Sequence, residues 1–381
     1  VREIFNQGCE NRLEIITLKV KIFNSVDENS WDSMVAGAEG GNIYQTSRWA
    51  SFLKGYLGLR SVFFRVEEES GKTLALLRLT RESFFHRLMI EKPFERLLTS
   101  VADRMAATIK WQAGPVFLCE NDREKVFEEL ISEVERFCRE TGIVLIDGAY
   151  NSIYEAADPS NLADYFSRQR GYEPREQATF LVDLRPDEDL LWQNVKQSAR
   201  KAVRRSLEDG LRVERLENES ELGKYHEFVC DCRRSIGLRE PTLRNITELW
   251  RNLHPAGMLE IFCAYRDNDL LGGLGIWRWG GVLIEWGSVQ SEKARQAKLY
   301  SSDLLKWEIM RWGHQIGDRL YDLAGVVPQP ESAAPKQKGI YQFKAKWGGA
   351  FRLYRVYSKP FKRIRATVIQ KGLGLIRRLR R

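Results

Sequence analysis

The chain runs twice through one series of patterns, and that repetition is the strongest constraint on its fold. In the first pass SVFFRVEEE (61–69) and TLALLRLT (73–80) flank a Ser-Gly turn and read as a hairpin. A further strand is expected to end in GPVFL (114–118). From Asn121 to Thr141, Val126, Leu130, Val134 and Phe137 recur at helical spacing, Gly142 stops the helix, and IVLI (143–146) reads as a buried strand. In the second pass MLEIFCAY (258–265), LLGGLGIWRW (270–279) and VLIEWGSV (282–289) are strands meeting at turns Asp267–Asp269 and Gly280–Gly281. A long helix follows from Tyr300 to Gly317, then a short apolar strand, Leu320–Leu323. The architecture repeats while the residues do not. This predicts an α/β (α+β) chain of two tandem domains, each a mixed sheet flanked by helices. The boundary is expected near residue 165, giving domains 1–165 and 166–355. Residues 356–381 are expected to pack back on the first domain or to extend as a basic helix.

The flanking segments add a strand and several helices. Leu13–Phe23 alternates as a strand, and Asp27 can cap a helix running to Ala38. Ser47 is the expected N-cap of a helix carrying Trp49, Phe52, Leu53 and Tyr56. There Trp49 reads as a core anchor and Lys54 points off the apolar face. Helices are also expected over Asn161–Arg170, Ser220–Ser235 and Thr242–Leu253. A single helix is expected from Leu190 to Leu207, with Leu191, Val195, Ala199, Ala202 and Val203 on one side. Its other side carries Lys196, Arg200, Lys201, Arg204 and Arg205, and no acid precedes Glu208. Pairing within the helix therefore does not explain the arc, and such an arc suits phosphates.

Charge and cysteine usage exclude several classes. The net charge is +8. Residues 359–381 hold nine Lys or Arg and no acid, so the remainder is close to neutral. That segment interleaves its cations with Phe361, Ile364, Val368 and Leu373, a composition suited to anionic headgroups or phosphates. No apolar run reaches roughly 18 residues, so no membrane-spanning helix is expected. The first residues lack the apolar stretch of a secretory signal. The Cys and His spacings form no zinc motif, so no metal is expected, and the thiols read as reduced core residues of a cytosolic protein.

The stretch LYDLAGVVPQPESAAPKQKGIYQFKAKWGG (320–349) carries the candidate chemistry. It reads as a strand, a loop broken by Gly325, Pro328, Pro330 and Pro335, and a helix with Ile340, Phe343 and Trp347 on one face. Lys344 follows Phe343. A helical Lys is ordinarily solvated, but one just past a strand-end loop can also meet an anionic ligand or a developing oxyanion. Asp147, ending the IVLI strand, reads as a turn residue before Gly148 or as a group at the ligand edge of the sheet.

Three blocks, in order, resemble the Fem family (FemABX-type) of aminoacyltransferases. The first is YQTSRWASFLKG (44–55). The second is the strand, linker and basic helix of 179–216. The third is Tyr321, Asp322, Leu323 and Gly325, followed by Tyr341, Phe343 and Lys344. The resemblance extends over most of residues 40–357. It implies tandem acyl-CoA N-acyltransferase (GNAT)-like domains. It also implies transfer of an amino acid from aminoacyl-tRNA to an amino group of a peptidoglycan-precursor stem peptide, with a soluble UDP-muramyl-pentapeptide or lipid II as acceptor. No cofactor is implied beyond the aminoacyl-tRNA co-substrate, and a cytoplasmic monomer is expected, docked at the inner membrane face through 359–381. On this reading Lys344 acts on the oxyanion or clamps the tRNA end, with Phe343 positioning it. Tyr321, Asp322 and Tyr341 shape the pocket, Asp147 is the candidate base, Lys54 and Trp49 face the acceptor, and Lys196, Arg200 and Arg204 take phosphates. Two departures stand out. Arg244 is followed four residues on by Glu248 where the family often has Tyr, and no long heptad stretch is present. Acyl-CoA is the alternative donor, but SEKARQAKLYSSDLL (291–305) lacks the Gly-containing diphosphate loop from every starting position. A membrane-surface acyltransferase of another kind and a binding protein without activity are the other classes considered.

Overall fold

The computed structural model describes residues 17–38, 40–83, 107–120, 122–149 and 167–367. The first half supplies β1 (Leu18–Phe23), α1 (Glu28–Gly37), α2 (Ser47–Leu57), β2 (Arg60–Glu68), β3 (Thr73–Ser83), β4 (Ala107–Trp111), β5 (Val116–Phe117), α3 (Arg123–Glu140) and β6 (Leu145–Ala149). The second half opens with β7 (Glu173–Asp183), α4 (Glu188–Asn194), α5 (Gln197–Glu208), β8 (Leu211–Arg215), α6 (Leu222–Ser235) and α7 (Leu243–Leu253). It continues with β9 (Leu259–Arg266), β10 (Asp269–Trp279), β11 (Val282–Gln290), α8 (Glu292–Gln296), α9 (Ser301–Gln315), β12 (Leu320–Asp322), α10 (Pro335–Lys344) and β13 (Ala350–Pro360).

One mixed sheet runs β1-β2-β3-β4-β6-β13-β7-β12-β11-β10-β9-β8, with β5 paired to β3. Each half contains one parallel pair, β4 with β6 and β11 with β12. A long helix, α3 or α9, makes each crossover, as parallel neighbours require. The last strand belongs to both halves. β13 pairs with β7 over Ala350–Ser358 and with β6 over Val356–Pro360. The chain end thus returns to the first half after traversing the second.

Three of the four cores among the described residues bear on the site. Under the first half, Val126, Leu130 and Val134 of α3 pack with Phe64, Leu77, Ile109 and Ile146. Under the second, Leu304, Leu305 and Ile309 of α9 pack with Ile276 and Leu283. The third joins the halves, where Trp49 and Phe52 of α2 meet Trp250, Leu253 and Trp277. Trp49 sets its ring edge-on to Trp277 at 5.1 Å and is 6% exposed, the anchoring role its position suggested.

Four local expectations change. The N-cap of α2 is Thr46 rather than Ser47, with Thr46 Oγ1 accepting from Trp49 N at 3.1 Å. The expected helix Leu190–Leu207 is two helices broken at Val195–Lys196. There Lys196 N donates to Lys346 O at 2.8 Å, a tertiary bond that replaces a helical one. Arg205 is not unbalanced, because it pairs with Asp209 at 3.0 Å. Nor is the basic segment from 359 wholly available for docking. Lys359 pairs with Glu135 at 2.8 Å, and Phe361 packs against the first core. Residues 13–16, most of the expected helix Asn161–Arg170 and residues 368–381 lie outside the described residues.

Candidate active site in a groove along the central strands

β7 and β13 form a two-stranded ribbon at the centre of the sheet, and one face of it is left open. Alternation puts Glu173, Arg175, Gln177 and Thr179 of β7 on that face with Tyr354, Val356 and Ser358 of β13. Together they floor a cavity of about 760 Å³. From Glu173 to Thr179 the floor extends roughly 20 Å at the usual strand rise. Tyr44, Leu53 and Leu57 border it from the first half.

The two ends differ chemically. At one end the parallel pair β4 and β6 delivers Trp111, Asp147 and Ala149. Asp147 Oδ1 accepts from Ser358 Oγ at 2.5 Å, and Lys110 pairs with Glu82 at 3.0 Å. At the other end lie Asp322, the last residue of β12, and Ala324 and Gly325 of the loop that follows. Asp322 is buried, accepting from the Thr179 hydroxyl and from Ala324 N at 2.8 Å. Ala324 adopts the left-handed conformation at φ 60°, uncommon without glycine. The turn it makes aims two carbonyls at one ammonium: Lys344 Nζ donates to Ala324 O at 3.1 Å and to Gly325 O at 3.2 Å.

Lys344 therefore stands half-buried directly behind the wall formed by Ala324 and Gly325. Burial lowers its pKa, an effect that Glu285 and Asp322 oppose. Across the end of the groove, burial raises the pKa of the Tyr44 hydroxyl, and Asp322 adds to the shift. Burial, reinforced by Asp322, pushes Tyr354 up to about 12. Both phenols stay protonated at neutral pH and can donate.

Behind Lys344 lies an ionic cluster with little exposure. Lys306 is 3% exposed and pairs with Glu285, which also accepts from Tyr321 OH at 2.7 Å. Lys346 pairs with Asp303 at 2.5 Å. Phe343 lies between the two cations, with Lys346 Nζ 4.3 Å and Lys306 Nζ 5.4 Å from its ring centroid. The ring thus ties the helix carrying Lys344 to the buried charges.

The candidates from the sequence sort by place. Lys344, Asp322 and Phe343 come together at the β12 end, with Tyr321 buried beneath. Tyr341 packs edge-on to Phe180 at 5.2 Å and supports α10 without lining the groove. Asp147 lines the groove at the far end. Opposite Asp147 on β13 is Ser358, which faces Glu173, whereas Asp322 faces Leu181, so roughly 25 Å of strand separates the two carboxylates. Lys54 is exposed on α2, next to the lining residue Leu53. Lys196 at the N-cap of α5, and Arg200 and Arg204 on α5, lie outside the lining, with Arg204 over the Trp192 ring at 5.6 Å.

Sequence reasoning missed Tyr44, Arg175, Gln177, Thr179 and Tyr354. The signal for three of them was available. In β7 polar residues 173, 175, 177 and 179 alternate with Ala178, Phe180 and Val182 toward its end, which marks a central strand with one wet face.

Residues 193–344 match the family model described as an acetyltransferase (GNAT) domain. No curated protein matches the chain. Among solved structures, FemX aligns with a TM-score of 0.72 at 13% identity, over 92% of this chain and 99% of that one. A tandem GNAT protein from the clavulanic acid biosynthesis pathway aligns at 0.51 and 13% identity, over 90% and 98%. The structure of L-PGS from Bacillus licheniformis aligns at 0.51 and 12%, over 90% and 99%. At these identities the likeness is one of fold. The tandem GNAT-like architecture and the acyltransferase class expected from the sequence agree with these findings.

Proposed function

We propose that this chain is an aminoacyltransferase that moves an amino acid from aminoacyl-tRNA to an amino group of a peptidoglycan-precursor stem peptide. The observation carrying the proposal is Lys344, a half-buried ammonium held by the two carbonyls of Ala324 and Gly325, which line a long polar groove in front of it. An ammonium has three N–H donors. Two are spent on Ala324 and Gly325, and the third is assigned to a reacting oxygen that enters beside them.

Attack of an amine on the aminoacyl ester forms a C–N bond and a tetrahedral oxyanion, and collapse breaks the bond to the ribose oxygen. Lys344 donates to that oxyanion, and the protonated phenols of Tyr44 and Tyr354 keep the surroundings donor-rich. Asp322, which lines the groove, orients the incoming neutral amine as a hydrogen-bond acceptor. The amine loses a proton as the ribose oxygen gains one, so the proton passes between the two substrates. Asp147, far along the groove, takes the role of a substrate-binding group instead of a base. A groove of roughly 20 Å lined by Glu173, Arg175 and Gln177 suits an extended peptide. The exposed cations Lys196 and Arg204, with the half-buried Arg200, are assigned to the tRNA phosphates. The use of aminoacyl-tRNA assigns the work to the cytoplasmic side, and no helix among the described residues is long and apolar enough to cross a membrane.

Acyl-CoA is the second donor to consider, because the GNAT domain match favours it. GNAT-like folds hold its diphosphate at the amide end of the helix that here is α9. Ser301, the first residue of α9, is fully buried, and Ser206 of α5 donates to Tyr300 O at 3.2 Å, so α5 covers that helix end. The residues present do not fit a diphosphate there. Native mass spectrometry with charged tRNA and with acetyl-CoA tests the choice. A salt-sensitive complex with the tRNA alone is expected, and a complex with acetyl-CoA alone overturns the proposal.

A further inference from the structure

We infer that the turn between α6 and α7 is a docking tip that seats the chain on a bilayer of anionic lipid. Three large aliphatic side chains stand out from this turn: Ile236 is 50% exposed, Leu238 39% and Leu243 44%. They are displayed by a built frame. Leu238 N donates to Arg233 O at 2.8 Å, His226 Nε2 lies 2.9 Å from Pro241 O, and Arg234 grips Glu240 through two bonds of 2.8 and 2.9 Å. An aliphatic cluster held rigidly in water marks an interaction surface rather than accidental exposure.

The surrounding charges identify the occupant. Arg234 engages both acids of the turn, Asp231 and Glu240. Arg244 stands exposed in the first turn of α7. Arg295 donates to Ser235 Oγ at 2.9 Å, which brings the α8–α9 turn and its exposed Lys298 alongside, and Arg295 also neutralises Glu292. Against Asp231, Glu240 and Glu292 stand Arg234, Arg239, Arg244, Arg295 and Lys298, so the outward face is aliphatic with a cationic excess, the combination that binds anionic headgroups while inserting side chains at the acyl boundary. A nucleic acid would meet the same cations through its phosphates but would leave the three aliphatic side chains in water, and a second copy would bring cation against cation.

The tip also lies close to the groove. α7 packs on α2 so tightly that a Cβ added at Gly55 would stand 2.7 Å from Glu248 Oε2. Leu53 and Leu57, on either side of Gly55, line the groove. From Leu243 to Glu248 is only about 8 Å of helix. A docked tip therefore keeps the groove near the headgroups. Resting on the proposed transfer reaction, this favours a lipid-linked acceptor over a soluble one, whereas the docking itself does not depend on that reaction.

Co-sedimentation of the full chain with phosphatidylglycerol vesicles and with phosphatidylcholine vesicles tests the tip without any substrate. The wild type should partition onto the anionic vesicles, and added salt should weaken it. The triple variant I236S/L238S/L243S should lose at least about tenfold in partitioning with its melting temperature unchanged. The single variant L238E, which risks less in folding, should shift the same way, and R244Q/K298Q should weaken anionic binding only. Wild-type partitioning by the triple variant overturns the inference. So does loss of tRNA binding by that variant with vesicle binding intact.

Discussion

The two halves build the same parallel pair and fill the opening beside it in opposite ways. In the first half β4 and β6 stay in register from Thr108 with Leu145 to Trp111 with Gly148. The Trp111 indole lies so close over Gly148 that an added Cβ would be 1.9 Å from it. In the second half β11 and β12 stay in register only from Val282 with Leu320 to Ile284 with Asp322. Beyond that point come Glu285 with Lys306, the left-handed turn at Ala324, and the Lys344 ammonium. One opening is plugged by an aromatic ring and the other is furnished with charge. On the proposed reaction the tandem copies divide the work, one serving as a wall of the groove and the other carrying the reacting groups. The domain match to 193–344 falls on the charged copy.

The largest way to break this contrast is to remove a buried charge from the second half. Glu285→Ala leaves Lys306 without its partner and Tyr321 OH without its acceptor, and should cost about 3–5 kcal/mol of stability in chemical denaturation. A cost below 1 kcal/mol would show that the cluster is hydrated rather than sealed. Next comes Lys344→Met, which should lower aminoacyl transfer by about 10²–10³-fold with little change in unfolding. Transfer near the wild-type rate removes Lys344 from the chemistry. The same residue predicts a pH effect whose sign follows from its burial. Desolvation disfavours the ammonium, so Lys344 loses its proton at lower pH than an ordinary lysine. The alkaline limb of the transfer rate should therefore lie below the usual Lys range of about 10.4 and vanish in Lys344→Met. A limb at or above that range contradicts the assignment.

Much of this contrast was legible in the residues, because the signals are local. The two passes of hairpin, long helix and buried strand follow from periodicity. Lys344 lies just past a strand-end loop that Gly325 and three prolines keep irregular, and it and Asp322 stand out through the resemblance to the Fem family. The rest depends on partners distant in sequence. The strand Ala350–Pro360 pairs with residues 145–149 and 173–181, and its mixture of aromatic and charged side chains on both faces gives no clean alternation. The break at Lys196 arises from the carbonyl of Lys346 and from Gly348 lying against Asn194 O, neither visible in a helical stripe. Tyr44 and Tyr354 become site residues only when the halves close over β7 and β13. Each reads as an ordinary aromatic on its own segment.

The smallest expected effect tests the plug itself. Gly148→Ala forces a methyl group against the Trp111 indole, and the ring must shift off the strand. The cost of such overpacking is about 1–3 kcal/mol, read by denaturation. In a Trp111→Leu background the intruding methyl meets a smaller and more adaptable neighbour, so the same substitution should cost clearly less than in the wild type. That coupling separates steric filling by the ring from a backbone demand at position 148, whose φ is not in the left-handed region. Equal costs in both backgrounds would mean that the indole does not fill the opening. The first half would then retain a usable notch of its own, and the division of work between the two copies would fail at its first premise.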